Sequence, residues 1–215
     1  AEAMVRPDAN LGQLTAILCS GGEGRGGIVL VGLNIERDGH ARSIHQDLDV
    51  LVQLGRQVLL MVPEINLTPQ LEGALRARLE GLLGPDGLAV MHSGLFDGER
   101  LQAWARAQRG QARMLLGTRM AIFAPMSELG LIVVDEEHDA SYKQQDGLRY
   151  SARDLAVWRA HHAAIPLILG SATPSLETWH HALSGRYTRL SLDQRARTRF
   201  LPEIRLVDTR KAKLN

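Results

Sequence analysis

The sequence predicts an α/β three-layer sandwich with a mainly parallel central sheet. Three observations carry that prediction. Short apolar runs of strand length recur along the chain, they alternate with helical patterns, and one ends abruptly in acids, Leu131-Ile132-Val133-Val134-Asp135-Glu136-Glu137-His138-Asp139. Wholly apolar strands belong to a sheet covered on both faces. Alternation with helices favours parallel strands joined by right-handed crossovers. Residues at the carboxyl end of such a strand face the ligand crevice, so the acids mark a candidate site.

Taken in order, residues 1–10 read as a disordered tail and 11–20 as a short apolar helix. Gly21-Gly22-Glu23-Gly24-Arg25-Gly26-Gly27 is a linker by composition. It precedes the strand expected at 28–33, whereas a phosphate loop follows a strand and opens a helix. Further strands are expected at 58–62, 88–91, 112–116, 131–134 and 166–169. Thr68 is placed to cap a helix whose apolar stripe runs through Leu71, Leu75 and Leu79. Trp104, Trp158 and Trp179 fall in helical patterns as core anchors, while Arg153 and Arg159 decorate a helix face. Residues 195–213 are basic and irregular, with one strand-like piece at 203–207. The expected organisation is a tail at 1–10, one lobe at 11–194 and a basic linker at 195–215.

Composition narrows the class. With 215 residues, 45% apolar and 23% charged, the chain fits one soluble α/β domain with a full core. A net charge of +1 excludes a uniformly basic nucleic-acid clamp and leaves room for local patches. Cys19 alone permits neither an internal disulfide nor a zinc cluster, which suits a reducing, cytoplasmic setting. No apolar run approaches the roughly 20 residues of a membrane span. The acid cluster lacks the His-Glu-x-x-His spacing of a metalloprotease.

The chemistry lies at the expected strand ends. Adjacent carboxylates at Asp135 and Glu136 suit a phosphate-bound magnesium ion and an attacking water. Other strand ends bring Thr68, Ser93, Thr118 with Arg119, and Thr173. Hydroxyls, cations and free amides there suit a nucleic-acid backbone, which they position without reading sequence. The stretch from Tyr142 to Tyr150 interleaves Tyr142, Lys143, Arg149 and Tyr150 with amides and a glycine. Such a mix stacks on bases and contacts phosphates, or else forms an exposed loop packed by its own tyrosines.

The wording and order of these segments resemble the first motor lobe of superfamily-two helicases, and within them the PriA family of primosomal replication-restart proteins. The resemblance rests on Val62-Pro63-Glu64-Ile65-x-Leu67-Thr68-x-Gln70, on Asp135-Glu136-Glu137-His138-Asp139-x-Ser141-Tyr142-Lys143-Gln144-Gln145, and on Arg149-Tyr150-x-Ala152-Arg153-Asp154-Leu155-Ala156. It covers about residues 57–208. It implies a RecA-like lobe that couples ATP turnover to movement on DNA and helps reload the replicative helicase at stalled forks. It also implies that Asp135 and Glu136 are the catalytic acids, that His138 relays between nucleotide and DNA, and that the Tyr142–Tyr150 loop senses single-stranded DNA. Forked or single-stranded DNA, other replication-restart proteins, single-strand-binding protein and a helicase loader are the implied partners.

One motif departs from the family. A loop reading Gly-x-x-Gly-x-Gly-Lys-Thr should follow the first strand, and residues 32–43 read Gly32-Leu33-Asn34-Ile35-Glu36-Arg37-Asp38-Gly39-His40-Ala41-Arg42-Ser43. Counting forward puts Asp38 in the lysine's place, and counting back from Val62-Pro63-Glu64 puts His40 there. What remains of the loop is Gly32, Gly39 and His40. The missing lysine contributes roughly 1.5–3 kcal/mol as a charged hydrogen bond. An aspartate instead opposes the triphosphate by about 4 kcal/mol at 4 Å and a dielectric near 20. The expectation is therefore a DNA-binding lobe without ATP turnover and with no bound cofactor; Asp135 and Glu136 are then vestigial. The competing expectations are an active ATP- and magnesium-dependent helicase with an unusual loop, its metal at Asp135, and a purely structural lobe whose DNA contacts lie in other domains. Three of the family's parts, a DNA-binding amino-terminal region, a cysteine-rich zinc segment and a second motor lobe, are expected to lie outside this chain.

Overall fold

Every strand of the main sheet runs in the same direction. The computed structural model describes residues 28–31, 55–64 and 69–190. Strands β1 (Ile28–Val31), β2 (Gln57–Met61), β3 (Leu88–Met91), β4 (Met114–Gly117), β5 (Leu129–Val134), β8 (Leu167–Gly170) and β9 (Thr188–Leu190) form one sheet, in the order β3-β4-β2-β5-β8-β1-β9. All its pairings are parallel. Helices α1 (Pro69–Leu83), α2 (Asp97–Gln108), α3 (Ala152–His162) and α4 (Leu176–Leu183) lie on the connections β2–β3, β3–β4, β5–β8 and β8–β9, and a 3-10 turn follows β4. A two-stranded antiparallel hairpin, β6 (Lys143–Gln144) with β7 (Tyr150–Ser151), projects between β5 and α3.

The sheet is doubly covered, as its apolar strands require. Alternate residues of one strand serve opposite faces: Leu59 and Met61 of β2 join one core cluster, and Val58 and Leu60 join the other. Helices α2 and α3 cover the first face with small side chains. Ala152, Ala156 and Ala160 repeat every fourth residue on α3, all buried, and bring its backbone close to the sheet. Helix α1 covers the second face through Leu79, which is buried, with Leu71 and Leu75 packed against the same cluster. Each fully buried Leu or Ile in these clusters is worth about 1.5–3 kcal/mol of transfer free energy.

Six expected strands are present: β3 has its expected ends, and among the described residues the ends of the others differ by at most two residues. β2 begins at Gln57, whose buried amide donates to the carbonyls of Ala107 and Ala112 at 2.8 and 2.7 Å and accepts from the Glu128 N–H at 3.1 Å. Two tryptophans correct the sequence reading. Trp158 is 63% exposed and stacks on His162, and Trp104 is 36% exposed. Only Trp179 packs against the core, with the Arg189 guanidinium 4.6 Å above its ring. The expected tail at 1–10, the helix at 11–20, the linker at 195–215, Gly32, Gly39, His40 and Thr68 lie outside the described residues. Among those described, no helix is long and apolar enough to cross a membrane.

Candidate functional site

Because the strands are parallel, their carboxyl ends meet along one edge, and the acid turn sits at its middle. Backbone hydrogen bonds hold this turn from both sides. The Asp135 N–H donates to the Met61 carbonyl of β2 at 2.9 Å, and the Glu137 N–H donates to the Gly170 carbonyl of β8 at 2.9 Å. Between them Glu136 is forced into the left-handed region, at φ 45°. A non-glycine residue there costs of order 1–3 kcal/mol, and neighbouring bonds must impose it. The Asp139 N–H closes the turn on the Glu136 carbonyl at 2.8 Å. Asp135 is buried and Glu136 half-buried.

The most engaged acid is Glu137, which sequence reasoning did not single out. Its side chain is fully buried. One carboxylate oxygen accepts from the Ser175 N–H at 2.7 Å. The other accepts from the Ser175 and Thr178 hydroxyls at 3.1 and 3.0 Å and pairs with the Arg153 guanidinium at 3.2 Å. Ser175 is the N-cap of α4, so this carboxylate also faces that helix's positive end. Arg153 corrects the expectation of a surface residue. Burial opposes its charge, but the bonds to Asp154 and Glu137 outweigh that and hold its pKa above the ordinary value. Arg159 corrects the same expectation: its two terminal nitrogens donate to the carbonyls of Ile122 and Ala124, at 2.6 and 2.8 Å, and burial lowers its pKa.

On the outer side of the turn, His138 reaches the loop after β8. Its Nδ1 lies 2.8 Å from the Ser171 hydroxyl and 3.5 Å from the Glu136 carboxylate, and its Nε2 lies 3.3 Å from the Thr173 hydroxyl. The Thr173 N–H donates to the Ser171 hydroxyl at 3.0 Å. The structure thus gathers Asp135, Glu136, His138 and Thr173 into one cluster. Ser93 is exposed at the end of β3 and donates to the Glu64 carboxylate. Thr118 is buried, and its N–H extends the ladder to the Met91 carbonyl at 3.1 Å.

The loop expected to touch bases divides sharply. Tyr142 is 1% exposed, and its hydroxyl donates to the Asp135 carbonyl at 2.7 Å, so no base can stack on it. Burial, followed by the charges of Asp135, Asp139, Glu136 and Glu137, pushes its pKa well above the usual tyrosine value. Arg119 spends one guanidinium nitrogen on the Ser141 and Lys143 carbonyls, at 2.9 and 3.3 Å, which anchors the hairpin. Lys143 and Arg149 are exposed on that hairpin. Half-buried Tyr150 meets the Phe123 ring edge-on, with centroids 5.0 Å apart.

Comparison with known proteins joins these features. The sequence profile of the DEAD/DEAH box helicase family matches residues 41–181. The chain belongs to this family. Within DEAD/DEAH box helicases it is similar to the replication restart protein PriA, as its motifs implied. It is 44% identical over 165 residues to PriA of Bacillus subtilis, covering 77% of this chain and 20% of that protein. It is 46% identical over 151 residues to PriA of Haemophilus influenzae, covering 70% of this chain and 20% of that protein. For PriA of Synechocystis sp. the identity is 47% over 161 residues, with 73% and 19% covered. The chain spans about a fifth of the length of these curated relatives. Two solved helicases share the RecA-like fold at low identity. The Hef helicase domain of Pyrococcus furiosus aligns at TM-score 0.53 and 17% identity, over 86% of this chain and 38% of that one. The helicase MrfA bound to DNA aligns at TM-score 0.55 and 9% identity, over 87% and 27%.

A DEAD/DEAH box helicase implies ATP and magnesium, and the two halves of such a site fit unequally here. The acid half is built: a buried Asp135 beside Glu136 in a fixed turn could hold a magnesium-bound phosphate. The phosphate half does not fit. It would follow Val31, whose strand lies beside Gly170 on the same edge, yet the first lysine anywhere in the chain is Lys143. The family profile begins at residue 41, so 32–40 lie outside the match. Among the described residues no cluster of three or more His, Cys, Asp or Glu is placed to hold a metal ion.

Proposed function

We propose that this chain is the DNA-contacting lobe of a replication-restart protein in which ATP turnover has been lost. It would hold forked or single-stranded DNA at a stalled fork in the cytoplasm. Single-strand-binding protein, other restart proteins and a helicase loader would then act beside it. The observation that carries this reading is the place of β1 in the sheet. Its carboxyl end opens onto the edge where a triphosphate would lie, and no lysine follows it before Lys143. A charged bond worth roughly 1.5–3 kcal/mol is therefore missing where the chemistry most needs it. One observation favours the competing reading of an active ATP-dependent helicase: Glu136, His138, Ser171 and Thr173 remain in contact.

ATP hydrolysis, measured with and without single-stranded DNA, is expected to be no greater than that of Glu136→Gln. DNA-stimulated turnover that Glu136→Gln abolishes would restore the enzyme reading. Binding to DNA is expected to be weak, salt-sensitive and indifferent to base sequence. Lys143→Ala and Arg149→Ala should each lower the salt slope by about one unit, equally for different sequences. If both variants bind as the parent does across a salt series, the DNA surface lies elsewhere and the purely structural reading is preferred.

A further inference from the structure

Of the two hairpin tyrosines expected to stack on bases, Tyr142 is buried and Tyr150 is half-buried against Phe123. We propose that Phe123 provides the stacking surface instead, as a rigid platform on which one unpaired base of single-stranded DNA stacks. This rests on the DNA-contacting reading above and adds the residue and the chemical group it recognises.

Four observations converge on Phe123. It lies in the 3-10 turn Arg119–Phe123 that follows β4, on the carboxyl-end edge of the sheet. Its neighbours Ile122 and Ala124 are buried at 3% and 1% exposure, yet Phe123 itself is 47% exposed. The flanking backbone is fixed from within, because Arg159 donates to the carbonyls of both Ile122 and Ala124. A half-buried arginine, whose charge burial disfavours, is thus spent on bracketing an outward-facing ring. The ring is braced from the side by Tyr150, at 5.0 Å and 72° between planes. Little side-chain freedom is left to lose when a flat ligand arrives, which is what preorganisation contributes to binding.

The surroundings choose the occupant. Tyr150 carries Phe123 onto the hairpin, whose exposed Lys143 and Arg149 supply cations for phosphates, with Asp146 at the tip as the opposing charge. Met120 in the same turn and Leu148 on the hairpin are also exposed, at 44% and 80%. An aromatic face among cations fits a base joined to a phosphate backbone, and every base presents a π-face, so the contact is indifferent to sequence. Arg159 acts as a positioning residue behind the ring.

The test compares two oligomers of equal length and charge, oligothymidine and its fully abasic counterpart, by fluorescence anisotropy with the complete chain at fixed salt. The parent is expected to prefer oligothymidine. Phe123→Ala should lose about tenfold in oligothymidine affinity, as for one stacked base, and leave abasic binding unchanged. Phe123→Trp should keep or raise the preference. Arg159→Lys, which keeps the charge but loses the two-nitrogen grip on the Ile122 and Ala124 carbonyls, should weaken it without altering the salt slope. Since Phe123 is exposed, Phe123→Ala should unfold in urea with the parent's midpoint. If both oligomers bind and Phe123→Ala leaves the preference intact, the ring serves as a contact for another protein surface and the proposal fails alone. Equal parent binding to both oligomers also overturns it. If neither oligomer binds, the DNA-contacting reading falls as well.

Discussion

Glu137→Ala is expected to remove about 3–5 kcal/mol of folding stability, the range for breaking a buried ion pair from one side. Against a total of roughly 5–15 kcal/mol for a typical domain, that is enough to unfold much of the population. Four donors would lose their acceptor together, among them the Ser175 hydroxyl. The Ser175 N–H and the Thr178 hydroxyl would lie beside a cavity, and the Arg153 guanidinium would keep only Asp154 and the Ser175 hydroxyl. The substitution would also release the N-terminus of α4 from the turn that carries Asp135 and Glu136. Glu137→Gln keeps a carbonyl oxygen for the Ser175 N–H but turns an amide toward donors, so a smaller loss of about 1–3 kcal/mol is expected. Combining Glu137→Ala with Arg153→Ala should cost less than the sum of the two, because the second change removes the group stranded by the first. Urea midpoints of the four proteins measure this. A loss under about 1 kcal/mol for Glu137→Ala would mean that water or a rearranged Arg153 replaces the carboxylate.

The parts of this fold legible in the sequence are those where one physical demand acts alone. Leu131-Ile132-Val133-Val134 must be a doubly covered strand because nothing polar interrupts it, and the acids that follow must leave the sheet. Leu71, Leu75 and Leu79 mark one face of α1 by spacing alone. Residues whose environment is assembled from distant segments were not legible. Gln57 looks like a strand boundary, yet three backbone groups more than 45 residues away satisfy it inside the sheet. Among the acids at 135–139, it is the cap of α4 and Arg153 that decide that the Glu137 side chain is fully buried. Arg153 and Arg159 occupy helix positions that look solvent-facing, and both are drawn inward by acceptors on other elements. Strand β9 escaped notice because Thr188 and Arg189 are exposed at the sheet edge and give no apolar run.

Tyr142 shows the same limit with the largest consequence for the site. Flanked by Ser141 and Lys143, it resembles a loop aromatic, and its burial depends on a carbonyl seven residues earlier. Tyr142→Ala is expected to cost about 3–5 kcal/mol, as for other large buried rings. It would also free the hairpin that carries Lys143 and Arg149 from the acid turn. Tyr142→Phe removes only the hydroxyl, at about 1 kcal/mol, with the Asp135 carbonyl losing that donor. The pH dependence separates these effects. In the folded protein the Tyr142 pKa is raised, by burial first and then by the surrounding carboxylates, while in the unfolded chain it lies near 10. Below about pH 10 both states keep the proton, so the contribution is complete. As the pH rises further, the unfolded state releases its proton first, and stability falls by up to about 1.4 kcal/mol per pH unit. Tyr187, also raised by burial, contributes in the same direction, so the quantity to measure is the difference between the parent and Tyr142→Phe. Urea midpoints followed from pH 8 to 11 should converge, as the parent loses stability above about pH 10 faster than the variant. Curves that remain parallel would mean that Tyr142 ionises as freely in the fold as outside it, and that its hydroxyl does not hold the Asp135 carbonyl.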